Sequence, residues 1–182
     1  MKVFKPCLVS LAVIAIGVLV GCSAPATKAP DVADNIRKSL EQANLKNVSV
    51  SQDRDKGVVT LGGTVAAEND KAQAEAMAKS FAGGQVVANQ IAVVPLGLES
   101  DAKAVNSELD KGIGHNLDAA LIANAVQKGV RYDVKNGVVT LTGEVASQSN
   151  RDRIQNLAAA VPNVLQVVNE LQVKDQKASS SK

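Results

Sequence analysis

Aromatic residues are nearly absent. The 182-residue chain has no tryptophan, and beyond Phe4 only Phe81 and Tyr132 remain. Any core must therefore be built from Val, Leu, Ile and Ala. Cysteine is as scarce: Cys7 and Cys22 are the two present, both near the N-terminus. That excludes a disulfide framework or a cysteine-based metal cluster in the body of the chain. Histidine occurs once, at His115 in a glycine-flanked stretch. Without a Cys nucleophile, a metal-ligand cluster or a Ser-containing elbow, and with acids scattered over polar faces, no catalytic constellation forms. No cofactor, metal site or catalytic residue is expected, and the chain does not read as an enzyme. A charge of one sign is lacking too, since the formal net charge is only +2.

The N-terminus stands apart from the fold. Lys2 and Lys5 make a basic start, and Cys7–Val20 is an apolar run broken only by Ser10 and Gly17. Its length suits a signal peptide and falls short of the roughly 20 apolar residues that span a bilayer. The run ends in Leu19-Val20-Gly21-Cys22, which resembles a bacterial lipobox. That resemblance implies cleavage before Cys22, acylation of its thiol and amine, and, with Ser23 next, sorting to the outer membrane. Three acyl chains would make a firm anchor, since two already suffice. Loss of Lys2 and Lys5 would leave 18 cations against 18 anions in the mature chain. Neutrality argues against a phosphate-binding stripe, and export removes nucleic acid as a partner.

The body of the chain is a duplication. Gly57-Val58-Val59-Thr60-Leu61-Gly62-Gly63-Thr64-Val65-Ala66 returns, offset by eighty positions, as Gly137-Val138-Val139-Thr140-Leu141-Thr142-Gly143-Glu144-Val145-Ala146. The offset holds without a gap to Val94 and Lys174, so two copies of one module are present. Modules this small gain only about 3–5 kcal/mol from a single core, so the copies are expected to dock.

Asp31 reads as the cap of a helix running to Asn44, with Val32, Ile36, Leu40 and Ala43 as its apolar stripe. Alternation over Val48–Gln52 predicts a half-buried strand, and 53–57 a turn. In copy two the turn is Asn136-Gly137, a strong hairpin signal because both residues tolerate positive φ. The next strand puts Val59, Leu61 and Val65 on one face, as it does Val139, Leu141 and Val145. Gly63 and Gly143 fall on that apolar face and read as room for a packed helix. A second helix is expected over Glu68–Phe81 and Gln148–Val161. Its stripe is Ala74, Met77, Ala78 and Phe81 in copy one and Ile154, Leu157, Ala158 and Val161 in copy two. Lys71, Glu75, Arg151 and Arg153 lie off the stripe and read as a solvated face. The last strands are Val87–Val93 and Val167–Val173. Asn89 and Asn169 interrupt them and read as structural amides, because a buried amide without partners costs about 1–3 kcal/mol.

Each copy thus reads α-β-β-α-β. The fold class is α+β: two tandem modules, each a small mixed three-stranded sheet covered by two helices, after a lipoprotein signal peptide. The pattern Gly-Val-Val-Thr-Leu-x-Gly-x-Val, a helix, then Val-x-Asn-x-Ile/Leu-x-Val resembles the BON domain (bacterial OsmY and nodulation), twice at a fixed offset. Copy one departs at Gly84, where the family usually has the valine seen at Val164. The expected organisation is signal peptide 1–21, acylated Cys22 and tether 22–30, BON domain one 31–95, linker 96–105, BON domain two 106–174 and a Ser/Lys-rich disordered tail 175–182.

The stretch 96–115 leaves two readings open. Pro95, Gly97, Gly112 and Gly114 punctuate it, yet Val105, Leu109, Ile113, Leu117 and Leu121 recur every four residues. It is either a loop plus a helix or one long helix weakened by glycines, at about 1 kcal/mol each. The first helix of copy two, about Asn116–Lys128, is apolar around most of its circumference, which implies burial on more than one side or contact with a partner. Docking on copy one and contact with lipid are both open. The resemblance to dual-BON outer-membrane lipoproteins implies a non-catalytic, periplasm-facing protein that binds anionic phospholipid and supports envelope integrity, with the second domain's first helix meeting the bilayer. Leu117, Ile122 and Val126 on this helix, with Lys128 and Arg131 nearby, are the candidate lipid- or partner-contacting residues, and Cys22 is the candidate lipidation site. The alternative is an osmotic- or envelope-stress chaperone or protein-interaction module.

Overall fold

The computed structural model describes residues 28–95 and 97–174. The signal, Cys22 and the tail 175–182 lie outside the described residues. Module one consists of α1 (Ala33–Gln42), β1 (Val48–Asp53), β2 (Val58–Val65), α2 (Glu68–Phe81), β3 (Val86–Asn89) and β4 (Ala92–Val93). Module two consists of α3 (Glu99–Ala123), β5 (Val130–Lys135), β6 (Val138–Val145), α4 (Gln148–Ala159) and β7 (Gln166–Val173). In each, the central strand pairs antiparallel with the strand before it and parallel with the strand after the helix. The expected mixed sheets are therefore present in both copies. The last strand of module one is broken into β3 and β4 around Gln90, where that of module two runs unbroken.

Val59, Leu61 and Val65 meet Ile36, Leu40, Ala74 and Ala78 in the core of module one. Val139, Leu141 and Val145 meet Leu117, Leu121, Ile154 and Ala158 in module two. Phe81, expected on the stripe, is exposed, and Ala82 is buried instead. The inward row of α2 runs 74, 78, 82, and position 81 lies at its margin.

Three local expectations change. Asp31 does not cap α1: Val32 is the N-cap, without a side-chain cap, and its N–H donates to Gln52 Oε1 at 3.1 Å. Gly63 and Gly143 do not make room for a helix. A Cβ on Gly63 would lie 2.0 Å from the Asn47 carbonyl oxygen, and one on Gly143 would lie 2.1 Å from that of Gly129. Both have strongly positive φ and let the neighbouring strand's backbone pass. Nor are all the off-stripe charges simply solvated: Arg153 is exposed, but Glu75 accepts from Asn89 and Arg151 clamps the carbonyls of β7, because the edges of these narrow sheets lie within reach of the helices.

Residues 99–123 form one continuous helix, which settles the open stretch. Ile113, Leu117 and Leu121 occupy in module two the places that Val32, Ile36 and Leu40 take in module one. The turns before Ile113 are an extension without counterpart in α1, and Val105 and Leu109 on them are 58% and 46% exposed. The expectation of burial on several sides fails: beyond that one row, Ala119, Ile122 and Ala123 face solvent.

Docking uses the sheets' other faces, not α3. Val58 and Ala88 of module one form a buried cluster with Val138 and Val168 of module two. These pairs are equivalent positions eighty residues apart, so the contact has an approximate two-fold axis. Polar contacts obey the same axis. Lys56 Nζ lies 2.6 Å from Glu170 Oε2, and Asn136 Nδ2 donates to the Gln90 carbonyl at 2.8 Å. Asn136 is the equivalent of Lys56, and Glu170 of Gln90. The hydrogen bond to Glu170 is the first cause holding the Lys56 ammonium above its ordinary pKa.

Candidate functional site

The five candidate surface residues separate once placed. Leu117 is 0% exposed and belongs to the core of module two, so it cannot contact lipid or a partner. Val126 is half-buried against the same core. Leu117 faces inward as part of the Ile113–Leu117–Leu121 row, and Val126 because the chain reverses at Ala125 (φ 53°) and folds it under the helix end, its N–H bonding the Leu121 carbonyl at 3.0 Å. Ile122 points the other way and is 62% exposed on the last turn of α3. Lys128 and Arg131 are exposed, and neither makes an ion pair among the described residues. Val126 and Lys128 line one shallow cleft of about 470 Å³ with Gly129, Glu144 and Lys174, while Ile122 and Arg131 lie off its lining. The end of α3 is braced by Asn124, whose Nδ2 donates to the Ala120 carbonyl at 2.9 Å.

The same corner of module one carries different chemistry. The position equivalent to Ile122 on α1 is Glu41, an ordinary exposed charge. A large apolar side chain exposed in that last turn is therefore specific to module two.

A second feature escaped the reading of residues. A cleft of about 840 Å³ lies between the N-terminal half of α3, strand β5 and the far end of module one's sheet. Gly63, Ala92 and Val94 form one wall, Lys103 and Asn106 another, and Tyr132 to Asn136 a third. Asp110 braces it, its two carboxylate oxygens accepting from the N–H groups of Asn136 and Gly137 at 2.8 and 2.9 Å. Tyr132 donates its hydroxyl to the Gly114 carbonyl at 3.0 Å. Burial first, and the Asp118 carboxylate second, push the Tyr132 phenol up to about 12, so it stays a donor at neutral pH. His115 lies exposed on α3. Among the described residues no group of three His, Cys, Asp or Glu side chains is placed to hold a metal.

The BON domain family model matches residues 29–95 and 109–175, most of the chain and both modules. The chain belongs to the BON domain family. Among its relatives, Osmotically-inducible protein Y of Escherichia coli (strain K12) is 30% identical over 137 residues, which cover 74% of this chain and 67% of that protein. An uncharacterised protein in the gshII 5′ region of Anaplasma centrale is 28% identical over 144 residues, covering 78% of this chain and 92% of that one. Among solved structures, the C-terminal domain of CdsD, a structural protein of the type III secretion system of Chlamydia trachomatis, is similar at 14% identity and a TM-score of 0.31. The chain spans 65% of that structure's length. So loose a superposition has no bearing on how BON modules are placed.

The second BON module's match begins at 109, inside α3, which leaves the first turns of that helix outside the family pattern. The extension and its cleft could not have been found from the family signature. Their one sequence sign is the four-residue recurrence that continues upstream of Ile113. Among the described residues no helix is long and apolar enough to cross a membrane.

Proposed function

We propose that this BON protein is anchored by acylated Cys22 on the periplasmic side of the outer membrane and uses the second module to hold anionic phospholipid. On this reading it supports the envelope without catalysing a reaction. The observation that carries it is Ile122, a large apolar side chain 62% exposed where module one has Glu41, with Lys128 and Arg131 a few residues further along the chain, exposed and without an ion pair among the described residues. An apolar tip with adjacent cations is how a protein inserts shallowly at a negatively charged interface. Each such cation contributes about 1 kcal/mol near an anionic surface, and that share vanishes on neutral lipid.

The test has two arms. In cells, a palmitate analogue is expected to label the chain and not its Cys22→Ser variant; equal labelling removes the anchor. In vitro, the soluble chain from Ser23 is expected to float with anionic vesicles and not with neutral ones. Ile122→Glu should abolish flotation with the fold intact, and Lys128→Glu should weaken it by at least about fivefold, the equivalent of 1 kcal/mol. Flotation unchanged by Ile122→Glu clears the helix end of any role.

The second reading is a stress-linked protein-interaction module in the envelope. The printed name of the Escherichia coli relative, osmotically inducible, supports the stress link. Absence of anionic preference in the flotation arm would favour it.

A further inference from the structure

A terminal strand presents a row of N–H and C=O groups that another strand can pair with, and stable proteins cover such edges. Among the described residues, outward groups on β1, β3 and β7 are capped in part, and the two-residue β4 continues the β3 edge. On β1, Arg37 donates to the Val50 carbonyl at 2.9 Å, and just past the strand's end Ala29 donates its N–H to the Arg54 carbonyl at 2.8 Å. On β3, the side-chain amide of Gln166, from the other module, accepts from Asn89 N–H at 3.1 Å and donates to the Val87 carbonyl at 2.7 Å. On β7, Arg151 donates to the Leu171 and Asn169 carbonyls at 3.0 and 2.9 Å.

The edge of β5 is capped by no described residue. The Gly129 carbonyl accepts from Glu144 N–H at 3.0 Å, which sets the odd-numbered residues of β5 to bond β6. Alternation then turns the N–H and C=O groups of Tyr132 and Val134 outward, and no described residue bonds them. The device used in module one is missing here. Arg37 corresponds on α3 to Asp118, which cannot donate to a carbonyl.

This edge faces the 840 Å³ cleft, whose wall it forms from Tyr132 to Lys135, continued by Asn136 of the turn. The cleft lining carries Lys103, Lys111 and Lys135 against Asp110 and Asp133, a net balance of +1. Asp110 is occupied by the Asn136 and Gly137 N–H groups. Lys103 and Lys135 have no ion pair among the described residues, and Asp133 is the carboxylate that remains. For a second copy of β5, antiparallel pairing centred on Asp133 would oppose Arg131 to Lys135 and Asp133 to Asp133, which destabilises a sheet, whereas a register centred on Val134 would oppose Asp133 to Lys135, so self-pairing is one of the outcomes the experiment separates.

We propose that the β5 edge is a docking site for an extended, acidic segment of a partner polypeptide, which adds as an outer strand to module two's sheet inside the cleft. Backbone pairing with Tyr132 and Val134 supplies the affinity, and Lys103 and Lys135 select for acidic side chains. The site is separate from Ile122 and does not depend on the membrane reading.

The experiment uses the mature chain with Cys22→Ser and three synthetic hexapeptides: Thr/Val alternating with Glu, the same with Lys, and the acidic peptide with a central Pro. Amide hydrogen exchange at Tyr132 and Val134 is followed by NMR. In the free protein these two amides should exchange at least about tenfold faster than those of Arg131 and Asp133. The acidic peptide should slow them by about tenfold or more, and the other two peptides should not. Asp118→Arg, which restores module one's cap, should weaken binding at least about tenfold while the rest of the spectrum stays unchanged. Lys103→Glu with Lys135→Glu should shift preference to the lysine peptide. Four results overturn the proposal: slow exchange at both amides in the free monomer, no slowing by any peptide, slowing that depends only on protein concentration, and slowing lost when residues 22–27 are removed. The third would assign the edge to a second copy, and the fourth to the chain's own tether.

Discussion

Asn89 is a polar side chain buried in a core that has almost nothing else polar, and its contacts explain why it is tolerated. Its Oδ1 accepts from Ile91 N–H at 3.3 Å, and its Nδ2 donates to Glu75 Oε2 at 2.8 Å. Asn169 repeats this with Leu171 N–H at 3.1 Å and Gln155 Oε1 at 2.9 Å. The amide ties the last strand to the helix in both modules, as the sequence suggested, but its acceptor on the helix could not be foreseen. In module one that acceptor titrates. The hydrogen bond from Asn89, then that from Lys79, hold the Glu75 carboxyl below its ordinary value of 4.5. The unfolded chain therefore binds the proton more readily than the folded one. This contribution to stability is present above about pH 4.5 and is lost as pH falls through the lowered native value. Glu75→Gln, which installs module two's residue, should change stability at pH 7 by less than about 1 kcal/mol, since the pair with Lys79 is exposed. It should also flatten the decline in melting temperature between about pH 5 and 3. Parallel acid profiles for the two proteins would refute this.

At the scale of the element, α3 is where local and tertiary preferences compete. Gly112 and Gly114 lower its intrinsic stability by about 1 kcal/mol each, and the sequence could not decide between loop and helix. Burial of Ile113, Leu117 and Leu121 and the two bonds from Asp110 to the β5–β6 hairpin decide for the helix. The glycines are not alike. Tyr132 lies against Gly114, whereas a Cβ at Gly112 would meet nothing within 4 Å. Gly112→Ala should therefore stabilise the protein by about 1 kcal/mol, read as a higher midpoint in urea. No gain would mean that the helix is not continuous in solution.

For the whole molecule, the two-fold contact makes equivalent substitutions comparable. Val58 and Val138 occupy matching places in the small cluster between the sheets. Lysine at either position would put a charge into that contact, at a cost of at least about 2 kcal/mol. Val58→Lys and Val138→Lys should lower stability by similar amounts and split a single thermal transition into two, as the modules part. Calorimetry that shows one unchanged transition in both variants would disprove the sheet-to-sheet docking. At the same scale the interface is not fully symmetric: Lys56 meets Glu170, whose side chain is 10% exposed, where the matching pair is uncharged. The charged pair distinguishes the observed pairing of unlike modules from a pairing of like ones.

What the amino-acid sequence determined by itself is the module: its repeat, its α-β-β-α-β order, the Asn-Gly turn and the apolar rows that make each core. These follow from periodicity and turn chemistry, which act between neighbours along the chain, and they hold whatever surrounds them. Only the tertiary structure decided which apolar residues stay outside. Leu117 and Ile122 are both large and apolar on one helix, and five positions separate a core residue from a solvent-facing one. The same is true of the sheet edges and of the cleft beside β5. Whether a backbone group is capped depends on side chains from distant segments, such as Gln166 on β3, and no local pattern records that meeting.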